Sequence, residues 1–467
     1  MKRLMPWSVV ALLAILPAAG GRASAQTRGY MPSLQEQLDA MRKTIQSQQQ
    51  ELNALKTKVG VSQGDADALE AQRRMIAGMI REETALITQN WGWVNSWKLK
   101  GDFRYRHEWL NDGTADANNV TDQFDRNRHR VRVRLGFFAK VNDEFDAGLQ
   151  LATGSNGDPV STNQTLGDNG SRWFQKKNVW WDLMYFDYHP KAVQDLHVFG
   201  GRMPNPFYRA GGSDLIWDGD LRFDGLAATY ETRLGENVTL YVNGGGFWLE
   251  ERGRAAAFVG GPFTHQDSTL WGAQVAGRFD LPQVAEKLYV TTGVSYYDYA
   301  NVEGFNPLAA AGNETLGAGA AMRYVSDFNV INPFVEVGFP VAGLPLVLVA
   351  DFAINPSADD LAGFSDNNDL AWMVGGVLGK CKDPGSWEAG YNYRQLQPDS
   401  LLGLFSDSDF AGGGTGGRGH KVWVGYQIAK NVKAKATYFC NDRNSFRNDG
   451  TDESFYHRVQ VDLELKF

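Results

Sequence analysis

The chain has little cysteine, two in 467 residues, and so cannot build a disulfide scaffold. No apolar run reaches the roughly 18 residues that a membrane-crossing helix needs. Basic residues are outnumbered, 46 Lys and Arg against 54 Asp and Glu for a net charge of −8, which leaves no electrostatic ground for binding nucleic acid. The seven histidines form no His-Glu-x-x-His pair, and no motif implies a metal, a cofactor or a catalytic group. Glycine (52) and aromatic residues (14 Trp, 17 Tyr, 26 Phe) are plentiful instead. That many aromatics exclude a disordered chain. A large all-β protein remains, either water-soluble or a membrane barrel whose strands are only half apolar.

The N-terminus sets the compartment. Lys2 and Arg3, the apolar stretch Val9–Leu16 and the small-x-small run Ala23-Ser24-Ala25 read as an export signal over 1–25. Residues 26–60 hold a heptad seam: Leu34, Leu38, Met41, Ile45, Gln48, Leu52, Leu55 and Val59. Polar residues surround it, so a partner helix is the expected cover; a lone amphipathic helix is the other reading. Ser62-Gln63-Gly64-Asp65 interrupts the pattern, and 61–92 read as a helical linker.

From residue 93 to 467 the period is two. Trp97–Trp109 alternates Trp97, Leu99, Phe103, Tyr105 and Trp109 against Lys98, Lys100, Asp102, Arg104, Arg106 and Glu108, the pattern of a strand with one apolar and one polar face. Arg128–Val141 and Phe455–Phe467 repeat it. Between them, thirteen further strands are predicted near 144–153, 178–188, 194–203, 220–232, 237–249, 268–280, 287–299, 328–339, 345–355, 369–380, 386–396, 420–429 and 431–441. Their connections alternate long and short, eight long and seven short. The expectation is an all-β transmembrane barrel, antiparallel, of about 16 strands, in contact with outer-membrane lipids. Short turns and both chain ends face the periplasm, where the coiled coil precedes the barrel. Closure satisfies every backbone group without water, and 16 strands leave room for an aqueous channel.

Two groups of charged residues are candidate pore determinants. Arg104, Arg106, Arg128, Arg130, Arg132 and Arg134 lie on the polar faces of the first two strands, which a hairpin sets side by side. Like charges this close must meet counter-charges, water or a passing anion. They form either a wall that guides anions or a lumen face braced by carboxylates. The third long connection carries Asp214, Asp218 and Asp220 among apolar anchors. It either folds inward, its carboxylates facing the arginines as a constriction, or packs as an external loop. The glycine run 412–419 reads as a flexible loop, since a strand and not a helix follows it. Asp366–Asp369 and Asp407-Ser408-Asp409 read as solvated loops, with calcium as the alternative. Cys381 and Cys440 belong at opposite rims, too far apart for a disulfide.

Several stretches together resemble the putative-porin family of Gram-negative bacteria: Gly101–Arg106, Arg128–Gly136, Asp158–Gln164, Met203–Phe207, Gln397-Pro398-Asp399, Ser408-Asp409-Phe410 and Val461–Phe467. The resemblance implies an outer-membrane channel for passive diffusion of small solutes and a homotrimer. It also implies that Phe467 is the C-terminal signal read by the barrel-assembly machinery. Phosphate-selective porins share the layout of coiled coil and barrel and are the second reading. A tether reaching the cell wall through residues 26–90 is the competing non-channel function. An outer-membrane enzyme is a third, with no motif in its favour.

Overall fold

A computed structural model describes residues 96–113, 124–168, 173–252, 266–359, 368–446 and 453–467, with isolated helical residues between 43 and 81. The export signal lies outside the described residues, as do all eight residues of the heptad seam.

Sixteen strands close into an antiparallel barrel among the described residues. The first four are β1 (Trp97–Asp112), β2 (Phe124–Lys140), β3 (Phe145–Thr153) and β4 (Val179–Tyr188). There follow β5 (Leu196–Met203), β6 (Phe223–Arg233), β7 (Val238–Glu250) and β8 (Ser268–Asp280). The next are β9 (Tyr289–Ala300), β10 (Phe328–Val341), β11 (Leu344–Ile354) and β12 (Leu370–Gly379). The last are β13 (Trp387–Leu396), β14 (Gly417–Ala429), β15 (Val432–Arg443) and β16 (Ser454–Lys466). Each pairs with its sequence neighbours, and β1 pairs with β16 to close the ring, from Asp102 opposite Lys466 to Asp112 opposite Tyr456. Every predicted strand is present. Differences lie at the ends: β1 runs to Asp112, β2 begins at Phe124 and β14 begins at Gly417.

Alternation decides which face is which. On β14, Val422, Val424, Tyr426 and Ile428 are exposed while Lys421, Trp423 and Gln427 turn inward and are partly or fully buried. An apolar exposed face repeated around a closed sheet is far larger than the patches soluble proteins tolerate, and fits contact with lipid. Exposed Trp97 and Trp387 stand at the short-turn end of their strands; exposed Trp180, Trp181, Trp248 and Trp271 stand toward the other end. The aromatic girdles expected of a barrel are therefore visible at both interfaces.

Turn chemistry is sharpest between β10 and β11, where Ala342 and Gly343 have φ of 49° and 81° and Val341 pairs with Leu344. Two consecutive positive φ values make the tight hairpin whose twist matches the strands.

The long connections between these strands are numbered L1 to L8. L3 (204–222) and L7 (397–416) matter most, because they are largely buried, together with L2 (154–178), of which 160–164 are buried. L2 contributes a two-residue strand, Gln164–Thr165, which pairs with Val131 and Arg130 of β2 where β3 is too short to reach. Gly412, Gly413, Gly414 and Gly416 of L7 all have positive φ. A side chain on Gly414 would collide with the backbone of Ala311, so this run is a packed corner, not a flexible filler.

Candidate functional site

L3 crosses the barrel interior. At one end Asp220 bonds to Arg134 on β2, with Oδ1 3.1 Å from Nη1. At the other, the Tyr208 hydroxyl and the Gly211 amide both donate to Glu336 on β10, at 2.9 and 2.6 Å. β2 and β10 lie half a turn apart around the ring. Glu336 is also five residues from Val341, the last residue of β10 before its short turn. At about 3.4 Å per residue, an external loop resting on the mouth could not reach it.

The reason L3 stays there is apolar. Phe207 packs edge-on against Tyr297, Phe223 and Phe247, and Trp217 against Tyr297 and Phe223, with ring centroids 4.9–6.1 Å apart across this cluster. Met203, Leu215 and Ile216 are buried with them. Edge-to-face pairs of this kind add roughly 0.5–1.5 kcal/mol each beyond the area they bury.

The six arginines face inward as the alternation predicts, and most are already occupied. Arg132 and Arg134 share Asp102 at 2.9 and 2.7 Å. Arg106 grips Asp462 with Nε and Nη2, at 2.7 and 2.9 Å, and reaches Asp409 of L7 at 3.0 Å. Asp409 is held a second time by Arg458 of β16, at 2.7 Å. Arg128 pairs with Glu108, a fully buried carboxylate. Arg104 meets the Asn163 amide oxygen at 2.6 Å, and Arg130 lies 3.5 Å from the Ser161 hydroxyl. The rows are thus a socket into which L2, L3 and L7 fold.

The three aspartates of L3 take different partners. Asp220 sits between Arg134 and Arg132 and accepts a 2.7 Å bond from Thr162. Burial alone would raise its pKa, but Arg132, Arg134 and Arg104 outweigh that and hold it at about 2. Asp218 accepts from the Asp220 and Ser408 amides, at 2.8 and 3.0 Å. Its pKa is pushed well up, by burial first and then by Asp214 and Asp407. Asp214 faces away from the arginine rows, toward Arg209 at 3.1 Å and Lys421 at 3.7 Å.

Lys421 belongs to a basic surface that sequence reading missed. Arg394 on β13, Lys421 on β14 and Lys435 on β15, with Asn392 and Trp423, border a cavity of about 180 Å³ closed by Ala210–Asp214 of L3. Asp407 binds Arg394 at 3.0 Å and Lys421 at 3.1 Å. Lys435 has no ion pair among the described residues; its ammonium stands 5.7 Å from the Trp423 ring centre. These three cations occupy three different strands, one on each, so no run of basic residues announces them.

Phe467 closes the ring. Its backbone exchanges two hydrogen bonds with Gly101, at 2.8 and 3.0 Å. Cys381 follows β12 at the short-turn end, Cys440 lies near the long-loop end of β15, and both are free thiols. Asp407 and Asp409 are committed to cations, and no cluster of metal-ligand type occurs among the described residues. Residues 360–367, which include half of the other acidic run, lie outside the description.

A family model described as "Putative porin" matches residues 113–315 and 348–467. The chain belongs to this porin family. This porin also resembles solved channel structures at the level of the fold. Pseudomonas putida OprB is 12% identical, with a TM-score of 0.48 over 80% of this chain and 95% of that one. The outer-membrane channel DcaP of Acinetobacter baumannii is 12% identical, with a TM-score of 0.43 over 79% and 97%. Salmonella typhi OmpF, in complex with daunomycin, is 13% identical, with a TM-score of 0.44 over 79% and 97%. No curated protein sequence matches the chain. Family membership makes it an outer-membrane porin channel.

Proposed function

We propose that this porin forms a water-filled channel for passive diffusion of small hydrophilic solutes and ions, with a mild preference for anions, as a homotrimer whose N-terminal helices lie in the periplasm. The observation that carries the reading is the cavity between L3 and the β11–β15 wall. Arg394, Lys421 and Lys435 face Asp214 and Asp407 there. Asp214 is bound by Arg209 and Lys421, and Asp407 by Arg394 and Lys421, so Lys435 is the cation beside the route that has no ion pair among the described residues. A narrow, low-dielectric passage amplifies such a charge. The six arginines of β1 and β2 then serve chiefly to fix the loops that shape the passage. Asp218 and Asp220 do the same from the loop side.

The test is a planar bilayer holding the purified porin in a salt gradient. Lys435→Glu is expected to shift the reversal potential toward cations. The double variant Arg130→Ala, Arg132→Ala is expected to change it much less. Selectivity that follows the arginine pair and ignores Lys435 would move the passage to the other wall. A folded wild type with no conductance would end the channel reading.

A further inference from the structure

The inner face of a water-filled barrel is polar along most of its strands, yet one stretch of this lumen is not. Val347 and Val349 on β11, Gly375 and Val377 on β12 and Trp423 on β14 turn inward, alternating with the exposed Leu348, Val374, Val422 and Val424. The register joins them into one patch. Val347 lies opposite Val377, Val349 opposite Gly375, and Val377 opposite Gly390 of β13, which in turn faces Trp423. No charged residue interrupts the patch. Gly390 also sets the posture of its one large ring. A Cβ there would collide with the Trp423 indole, so the ring spreads across bare backbone, the close approach that glycine in a strand permits.

Lys435 stands at the edge of this patch. It is opposite Gly425, two residues along β14 from Trp423. Its ammonium is 5.7 Å from the indole ring centre, close to the outer limit of about 6 Å for a cation–π contact. The acids around it are engaged elsewhere. Asp462, opposite Lys435 in the register, is gripped by Arg106 at 2.7 and 2.9 Å. Glu388 holds Lys433 at 2.8 Å, and Glu464 lies opposite Lys433 and Arg104. Asp214, the acid that borders the cavity, is held by Arg209 and Lys421. Lys435 and Trp423 both border the cavity and both keep part of their surface exposed. Asn392 borders it too, its Oδ1 taken by Arg394 at 3.3 Å and its amide N–H groups left as neutral donors.

We propose that this cavity binds a monocyclic aromatic carboxylate, the ring on Trp423 and the valine patch and the carboxylate on Lys435. The inference names a solute class for the anion-favouring channel proposed above and rests on that reading. Size sets the limit. The cavity holds about 180 Å³, below the roughly 300–1,000 Å³ of pockets for drug-sized ligands, so it suits one ring with its acid group. Chemistry sets the rest. Acetate pairs with the ammonium and leaves the apolar patch wet. Benzyl alcohol covers the patch and leaves the ammonium unpaired. Benzoate does both, and its bond to Lys435 is of the strong, charge-assisted class.

The porin in a planar bilayer, bathed in potassium chloride at neutral pH, is titrated with sodium benzoate, sodium acetate or benzyl alcohol, and interruptions and excess noise of the open-channel current are followed. Benzoate is expected to interrupt the current saturably, at concentrations about tenfold or more below either control. The benzoate-to-acetate ratio is taken within each variant, so a change in conductance cancels. Trp423→Leu keeps apolar bulk without the ring and is expected to bring the ratio severalfold closer to one. Lys435→Gln, at a lumen-facing side chain, is expected to weaken benzoate about tenfold and carries the test if the tryptophan variant does not fold. A conducting channel that treats benzoate as it treats acetate, or a benzoate response unchanged by Lys435→Gln, overturns the inference and leaves the channel reading standing. Absence of conductance in folded wild type ends both.

Discussion

Asp220→Ala is expected to cost about 3–5 kcal/mol, the usual penalty for leaving buried partners uncompensated. The carboxylate is the only atom group of L3 that meets Arg132, Arg134 and Thr162 together. Its loss leaves Arg132 and Arg134 with Asp102 as their one remaining carboxylate and removes the polar link between L3 and Thr162 of L2 in one step. The folded, slow-migrating form should convert to the unfolded one on a heated gel well below the wild-type temperature, and open-channel noise should rise. Acid gives the matching pH effect. Because the native pKa is depressed from 3.8 to about 2, the link is at full strength above about pH 4 and disappears as pH falls through 2. The linkage is worth about 2 kcal/mol. Asp218 has the opposite sign: its pKa is raised, so its contribution grows as pH falls through the native value. Wild-type noise should therefore increase only near pH 2, while Asp220→Ala is noisy already at pH 7. A variant as quiet and as heat-resistant as the wild type would show that the apolar anchors alone hold L3.

Gly101→Val is expected to prevent or severely slow barrel closure. A Cβ at this position meets the Phe467 ring at 2.5 Å and the Arg134 carbonyl oxygen at 2.7 Å, one from each neighbouring strand; the exposed ring can turn aside, but the carbonyl oxygen cannot retreat without breaking the ladder. Such overpacking costs typically 1–3 kcal/mol in a core, and here it falls on the two backbone bonds that join the chain's ends. Folding yield into detergent micelles, read from heat-modifiable migration, is the measurement. Phe467→Ala separates closure from recognition. It keeps the backbone bonds, so it should fold in micelles, yet assemble poorly in cells if the aromatic end is the signal the assembly machinery reads. Normal folding of Gly101→Val would refute the closure account.

The wall of the barrel was legible because a strand between lipid and water carries a strict period of two, and Trp97–Trp109 or Arg128–Val141 display it without help. Where side chains fall silent the reading slipped. Gly417 and Gly419 open β14, but glycine has no face, so the strand was expected to begin at 420. L5 also holds a two-residue pairing of Thr315–Leu316 with Arg323–Tyr324, which was not expected, although β10 begins at Phe328 as predicted. The interior was far less legible. The arginine rows were visible, and so was the acidity of L3. That Asp409 would bind Arg106, 303 residues away, and Arg458 was not. A periodicity reports only neighbours, and long-range charge pairing has none. The residues that line the remaining space, Lys421 and Lys435, looked like any polar half of a strand.

The double grip on Asp409 has a consequence for how the molecule comes together. Arg106 belongs to the first strand of the barrel and Arg458 to the last, strands that meet only when the sheet has curled through a full circle. Contacts between such distant parts of a chain are the slowest to form. L7 therefore works as a coincidence detector: neither arginine alone makes its pocket. The Asp409 end of L7 can settle only after the cylinder has shut, whereas the aromatic anchors of L3, on β6, β7 and β9, do not wait for it.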